Sequence, residues 1–204
     1  SKCMETNIER NKKAFLELYN EKIKREGASE LLKYLCGSDF FTAPASSRFH
    51  SNFEGGLCAH SLNVYRRLDE LVRMHETAGD IQPGSISEES VAVCGLLHDL
   101  CKVDFYAVQT RNVKKNGEWV SVPYYTISDN LPYGHGEKSV YIINGFMRLS
   151  RAEALAINWH MGGFDNRVKA GDYSMSDAYY RFPLAMFLHM ADMTATYLDE
   201  HVEK

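Results

Sequence analysis

The sequence has no apolar run of the roughly 20 residues that a membrane-spanning helix needs. Its opening, residues 1–13, is rich in charged side chains and does not resemble a secretory signal. It also has no excess of basic residues, because the net charge is -4, and this argues against broad coating of duplex DNA. We therefore expect a soluble, cytoplasmic chain that neither enters a membrane nor coats duplex DNA.

Cysteine is scarce, with five in the chain, and no two cysteines have the CxxC spacing. The odd number and scattered positions argue against a disulfide framework. Cys94, His98 and Cys101 would share one face of an unbroken helix, and cysteine with histidine is a zinc-type ligand set. Cys94 lies in an apolar run, however, where a small thiol ordinarily fills the core. We favour core packing and keep a zinc site as the alternative.

The composition fits an ordinary globular chain of 204 residues, with 45% hydrophobic and 25% charged residues. Apolar residues recur at helical spacing through most of its length. The segment 37–53 has the composition of a loop. The pattern predicts helices over residues 7–26, 30–35, 57–78, 91–100, 137–149, 150–160 and 177–202.

The period changes after Lys102. Residues 105–108 and 119–127 are rich in β-branched and aromatic side chains, and Asn116-Gly117 between them is typical of a two-residue hairpin turn. We find no internal repeat and no low-complexity linker. The sequence therefore predicts an all-α helical bundle with one β-hairpin excursion at about residues 105–127.

Three of the predicted helices carry ionisable residues on faces that are otherwise apolar. His60 lies on the apolar face of its helix, His98 and Asp99 end a strongly apolar helix, and Asp192 lies inside a long apolar stretch. A carboxylate in a core is unfavourable unless it is paired or bound to metal. A single core histidine is more often hydrogen-bonded than metal-bound. The whole set on separate helices favours a divalent ion inside the bundle.

Three segments resemble the signatures of the HD-domain metal-dependent phosphohydrolases. They are Gly55-Gly-Leu-Cys-Ala-His60, Leu96-Leu-His-Asp-Leu-Cys-Lys102 and Met190-Ala-Asp192. The resemblance covers about residues 50–195, and its opening is most similar to the HD domain of the YhaM-type 3′→5′ exoribonucleases. It implies one HD domain over residues 1–204, with N-terminal helices at 1–36 and a catalytic core at 50–195.

The resemblance also implies a set of metal ligands. For a first ion these are His60, His98, Asp99 and Asp192. Asp99 would bridge to a second ion, since His135 and His160 stand where two-metal members of the family carry histidines. We therefore expect divalent metal, two ions rather than one, drawn from Mn, Fe, Mg, Ni, Co and Zn.

The activity that the resemblance implies is hydrolysis of a phosphomonoester or phosphodiester by metal-activated water. The expected partner is a small anionic phosphate compound, a nucleotide or a short single-stranded oligonucleotide. Asp99 would also act on the water, and Lys102 would neutralise phosphate charge, although a lysine at a helix end is also favoured by the helix dipole. His50, ahead of the double glycine, is a candidate for contacting the substrate.

Two alternatives from other functional classes remain open at this point. One is an HD-type di-iron oxygenase that uses the same ligands, and the other is a non-catalytic nucleotide sensor. The sequence departs from the family pattern at Cys101, where glycine is common, and at Ala195, where many members carry a second aspartate. Neither departure removes a ligand, but both make it unsafe to transfer a particular substrate.

Overall fold

A computed structural model describes residues 6–200 of the chain. None of the helices in that range is long and apolar enough to cross a membrane. The α-helices are α1 (Asn7–Lys22), α2 (Ala28–Gly37), α3 (Gly56–Ala78), α4 (Glu88–Leu97), α5 (His135–Asn144), α6 (Arg151–Asn158), α7 (Asn166–Lys169), α8 (Ser174–Arg181) and α9 (Pro183–Thr194). Short 3₁₀ turns cover Leu100–Lys102 and Gly162–Phe164, a π turn covers Ala195–Asp199, and the strands are β1 (Tyr106–Lys115) and β2 (Glu118–Ile127). The predicted all-α bundle with one hairpin is confirmed.

The core forms around α4, whose residues from Val91 to Leu97 are all buried. α3 packs against α4 and α9, while α6 packs against α9 and α5. Leu68, Leu97 and Phe187 belong to one continuous apolar cluster. Each such side chain stabilises the fold by about 1.5–3 kcal/mol when it is fully buried. α3, α4 and α9, which carry or adjoin the predicted first-ion ligands, therefore all contribute to this core.

The helix predicted over residues 91–100 ends earlier, at Leu97. His98 is its C-terminal cap, and Asp99 adopts a non-helical conformation with φ -103° and ψ 21° before the 3₁₀ turn begins. Cys94, His98 and Cys101 therefore do not share one unbroken helix.

The continuous helix predicted over residues 177–202 is wrong. Phe182 is extended, with φ -132° and ψ 96°, and it separates α8 from α9. The physical reason is Pro183, which can begin a helix but cannot donate the backbone hydrogen bond that would continue one. α9 then passes into the π turn. Residues 201 and 202 of the predicted helix lie outside the described residues.

The hairpin follows the prediction, although β1 is longer than the sequence pattern indicates. β1 and β2 pair antiparallel, with Lys115 opposite Glu118. Asn116 and Gly117 both have positive φ, 49° and 84°. Two successive residues of this kind form the turn whose twist suits a tight hairpin.

Candidate metal centre

The four predicted first-ion ligands converge between α3, α4 and α9. His60 Nε2 lies 3.4 Å from an Asp99 carboxylate oxygen and 3.0 Å from an Asp192 oxygen. His98 Nε2 lies 3.4 Å from the same Asp99 oxygen and 4.0 Å from the same Asp192 oxygen. His60, His98 and Asp99 are buried, and the Asp192 side chain is 19% exposed. Two imidazoles and two carboxylates thus face a common focus.

His160 approaches the same focus from the end of α6. Its Nε2 lies 3.2 Å from Asp99 Oδ1, whereas the other oxygen, Oδ2, faces His60 and His98. The candidate ligand atoms form two overlapping groups, His60–His98–Asp192 and His98–Asp99–His160, whose atoms lie within 4.8 Å of one another. Asp99 therefore presents its two oxygens to different imidazoles.

The histidine nitrogens that face this focus have no aligned hydrogen-bond partner. The Nε2 atoms of His60, His98 and His160 are buried and unsatisfied. On the other side of each ring, Nδ1 of His98 lies 3.0 Å from the Gly95 carbonyl, and Nδ1 of His160 lies 2.7 Å from the Ile157 carbonyl. A ring that donates from Nδ1 keeps its Nε2 lone pair available for a metal. Buried polar atoms are rarely left unpaired, so the residues present fit a divalent cation.

The surroundings of His60 and His98 shift their pKa values in opposite directions. Burial lowers the pKa of His98 to about 4, so its ring is neutral at physiological pH. Burial also acts to lower the pKa of His60, but the Asp192 and Glu200 carboxylates outweigh it and raise that pKa to about 10. In the absence of metal, the protonated His60 ring thus balances part of the negative charge of the site, and a metal would have to displace its Nε2 proton.

Lys102 lies beside Asp99, as the one-turn spacing predicts. Its Nζ is 3.2 Å from Asp99 Oδ2 and donates a hydrogen bond to the Ala45 carbonyl at 2.6 Å. Burial acts to raise the pKa of Asp99, but the charge of Lys102, together with His98 and His160, holds it well below its usual range. Asp99 is therefore ionised and ready to ligate.

His135 lies close to the centre but apart from both ligand groups. Its Nδ1 is 3.5 Å from Cys101 Sγ, and its ring is 5.8 Å from that of Phe105. Within residues 6–200, no group of three ligand atoms found within 4.8 Å of one another includes His135. The structure thus brings His160 into the cluster and leaves His135 beside Cys101.

His50 lies on the opposite side of His60. The two ring centroids are 5.0 Å apart, and the buried Nε2 of His50 has no hydrogen-bond partner. It also forms a third ligand-like group with His60 and Glu200. The sequence reasoning placed His50 near the site but missed Glu200, because a glutamate close to a polar chain end is ordinarily solvated.

Cys94 and Cys101 do not take part in these groups. Cys94 and Cys101 are buried thiols, and burial raises the pKa of Cys101 to about 12. No cysteine belongs to a ligand group in the part of the chain that the structure describes. The arrangement favours core packing over the alternative zinc set.

Comparison with known proteins identifies the family of this chain. Residues 57–196 match the family model of the HD domain. Comparisons with curated proteins and with solved structures found no match. The matched segment covers more than half of the chain and includes the clustered histidines and aspartates of α3, α4 and α9. The chain belongs to the HD-domain family, within the superfamily of metal-dependent phosphohydrolases.

Proposed function

We propose that this HD domain hydrolyses a phosphomonoester or phosphodiester, in a nucleotide or a short oligonucleotide. The observation that carries the proposal is the set of three buried Nε2 atoms that face two carboxylates without an aligned hydrogen-bond partner. Such a focus suits a divalent cation, and hydrolysis of phosphate esters is the reaction expected of this superfamily.

The proposed ligands of the first ion are His60, His98, Asp99 and Asp192. We propose that Asp99, His160 and His135 would hold a second ion. In the structure His135 contacts Cys101 through Nδ1. Divalent ions bound at these residues would lower the pKa of a water and stabilise negative charge on phosphoryl oxygens.

The other residues of the site have roles that follow from their positions. Asp99 would also orient the attacking water. Lys102 lies close to Asp99 and carries a buried positive charge, which suits it to neutralise a phosphoryl oxygen. His50, next to His60, would contact the substrate from the other side.

The proposed substrate class depends on the resemblance of residues 50–60 to the opening of YhaM-type exoribonuclease HD domains. A short single-stranded nucleic acid and a mononucleotide share the phosphate that the site would recognise. Because the chain as a whole has a net charge of -4, it would not attract an anionic substrate. The attraction would come from the local cations of the site. We place the protein in the cytoplasm, where these compounds occur.

The experiment is a panel of phosphomonoesters, phosphodiesters and short oligonucleotides, assayed with protein loaded with Mn²⁺, Mg²⁺, Fe²⁺, Ni²⁺, Co²⁺ or Zn²⁺. We expect release of phosphate or mononucleotide by the wild type and loss of turnover in Asp99→Ala and Asp99→Asn. The asparagine variant keeps the shape of the side chain and removes its charge.

Wild-type turnover in Asp99→Ala would show that the metal mechanism is wrong. Oxygen consumption by the iron-loaded protein, without hydrolysis of any ester, would instead indicate the di-iron oxygenase. Nucleotide binding without either reaction would indicate a sensor.

A further inference from the structure

The segment after α9 returns to α3 and is anchored there by charge. The π turn ends with the Glu200 backbone N–H donating to the Ala195 carbonyl at 3.0 Å. Asp199 then pairs with Arg67 at 2.6 Å and with Arg66 at 3.1 Å, both on α3. π turns occur frequently at functional sites. Here the turn brings Glu200 against the metal-facing helix.

The Glu200 carboxylate is buried, with a side-chain exposure of 5%. Both of its oxygens lie 3.0 Å from His60 Nδ1. Ser51 Oγ donates to the carboxylate at 2.6 Å, and Asn63 Nδ2 donates to it at 3.3 Å. The carboxylate therefore accepts hydrogen bonds from three directions and has little freedom to move.

The position of Glu200 decides which nitrogen of His60 is available. A carboxylate that accepts from Nδ1–H leaves Nε2 to face Asp99 and Asp192, where it lies 3.4 Å and 3.0 Å from their oxygens. In metal sites a carboxylate of this kind fixes the tautomer and orientation of the ligating ring and increases its basicity.

A purely structural role would predict a different partner. A buried carboxylate is costly unless it is paired, and arginine is the usual partner for such a pair. Arg66 and Arg67 lie on the same helix, yet they pair with Asp199 and leave Glu200 to His60. Glu200 also lies beyond residue 196, where the match to the family model ends.

We propose that Glu200 is a positioning residue, which holds the His60 ring for metal binding while Asp199 anchors its segment to α3. The proposal rests on the metal-binding part of the proposed function and is independent of the reaction that follows.

The test is a competition titration of Mn²⁺ and Zn²⁺ with metal-free protein comprising residues 1–204. We expect Glu200→Ala to weaken metal binding about 10–100-fold, the usual effect of removing such a partner. Glu200→Gln keeps an oxygen acceptor for Nδ1–H but loses the charge, so its affinity should lie between those of the wild type and the alanine variant. Thermal unfolding of each variant shows whether it is folded.

Glu70→Gln is the matched control. Like Glu200→Gln, it removes one negative charge, but the Glu70 side chain lies on α3, is 57% exposed and, among the described residues, forms an ion pair with the neighbouring Arg67 at 3.4 Å. Its metal affinity should equal that of the wild type.

Unchanged metal affinity in a folded Glu200→Ala protein would overturn the proposal. If that variant does not fold, ¹⁵N NMR of the histidine rings of the Zn²⁺-loaded wild type decides. The proposal requires a protonated Nδ1 and a metal-bound Nε2 on His60, and an unprotonated Nδ1 would overturn it. A wild type that binds no metal would overturn both this proposal and the proposed function. A wild type that binds metal but cleaves no ester would refute hydrolysis alone.

Discussion

Lys102 places a positive charge inside the protein, within 3.2 Å of Asp99. We expect Lys102→Met to lower kcat by about 10²-fold, because a cation aimed at developing phosphoryl charge acts mainly in the transition state. Metal content should stay at the wild-type level. Steady-state kinetics and metal analysis of the same preparation measure kcat and metal content.

Lys138→Met provides a matched control, since Lys138 is also buried but pairs with Asp129. We expect its kcat to remain much closer to that of the wild type. Loss of metal together with activity in Lys102→Met would mean that Lys102 serves to hold Asp99 rather than to contact the substrate.

His160 and His135 allow a separate test of the second ion. His160 Nε2 is 3.2 Å from Asp99 Oδ1, on the side that faces away from His60. We expect His160→Ala and His135→Ala each to lower the metal stoichiometry from two ions to one, as measured by elemental analysis. Unchanged stoichiometry in both variants would show that the second site is wrong.

Most of the metal-facing residues could be predicted from the sequence, residue by residue. His60, His98 and Asp192 stand out because each interrupts an apolar pattern, and an ionisable group there needs a physical reason. Glu200 could not be found in this way. Its neighbours in sequence are polar, and only the π turn and the Asp199 pairs bring it to His60.

At the scale of elements, the α3–α4 contact sets the distance between His60 and His98. Gly95 lies where α4 meets α3, and a Cβ at this position would be 2.6 Å from Tyr65 Cα. Gly95→Ala should therefore push the helices apart and lower the free energy of unfolding by about 1–3 kcal/mol. It should also weaken metal binding, because His98 donates to the Gly95 carbonyl. Urea unfolding and metal titration measure the two effects.

Gly37→Ala is the control for this change. It makes the same substitution at the end of α2, where an added Cβ would meet no atom within 4 Å. If Gly95→Ala had the stability and metal affinity of Gly37→Ala, the close contact would not be what positions the two histidines.

The sequence predicts where helices occur better than where they end. The apolar pattern continues past Leu97 because Leu100 and Cys101 remain buried in the 3₁₀ turn, although the α-helix has stopped. The apolar periodicity likewise continues across Phe182 and Pro183, so the sequence pattern predicts one helix where the structure has two. Burial controls the pattern, whereas the backbone hydrogen bonds control the boundary.

At the scale of the whole molecule, one ion-pair cluster joins the N-terminal helices to the bundle. Arg25, between α1 and α2, donates to Glu153 of α6 at 2.6 Å and to Glu89 of α4 at 2.9 Å. Glu153 is 1% exposed and also accepts from Ser90. We expect Glu153→Ala to lower the free energy of unfolding by about 3 kcal/mol, since it leaves a partly buried arginine without its main partner.

The effect of Glu153→Ala should depend on pH. Burial acts to raise the pKa of Glu153, but the hydrogen bonds from Arg25 and Ser150 outweigh it and lower that pKa. The pair therefore stabilises the fold above the unfolded-state pKa of about 4.3, and this contribution is lost as the pH falls through the lower folded value. The difference in unfolding free energy from the wild type should shrink on going from pH 6 to acid. A difference that does not change with pH would contradict this account.

The general architecture follows from the sequence, but the packing between distant segments does not. Helical periodicity and the Asn116-Gly117 turn are local signals, and they were sufficient for the bundle and its hairpin. Contacts such as Arg25 with Glu153 join residues far apart in the chain and follow only from the assembled fold. The extent of the domain, residues 1–204, stays a prediction.

Whether these residues bind a divalent ion can be tested by anomalous X-ray diffraction from crystals of residues 1–204 equilibrated with Mn²⁺. We expect an anomalous peak in the buried focus, bonded to Nε2 of His60 and His98 and to the carboxylates of Asp99 and Asp192. Diffraction that shows no ion there, with those side chains still facing one another, would contradict this expectation.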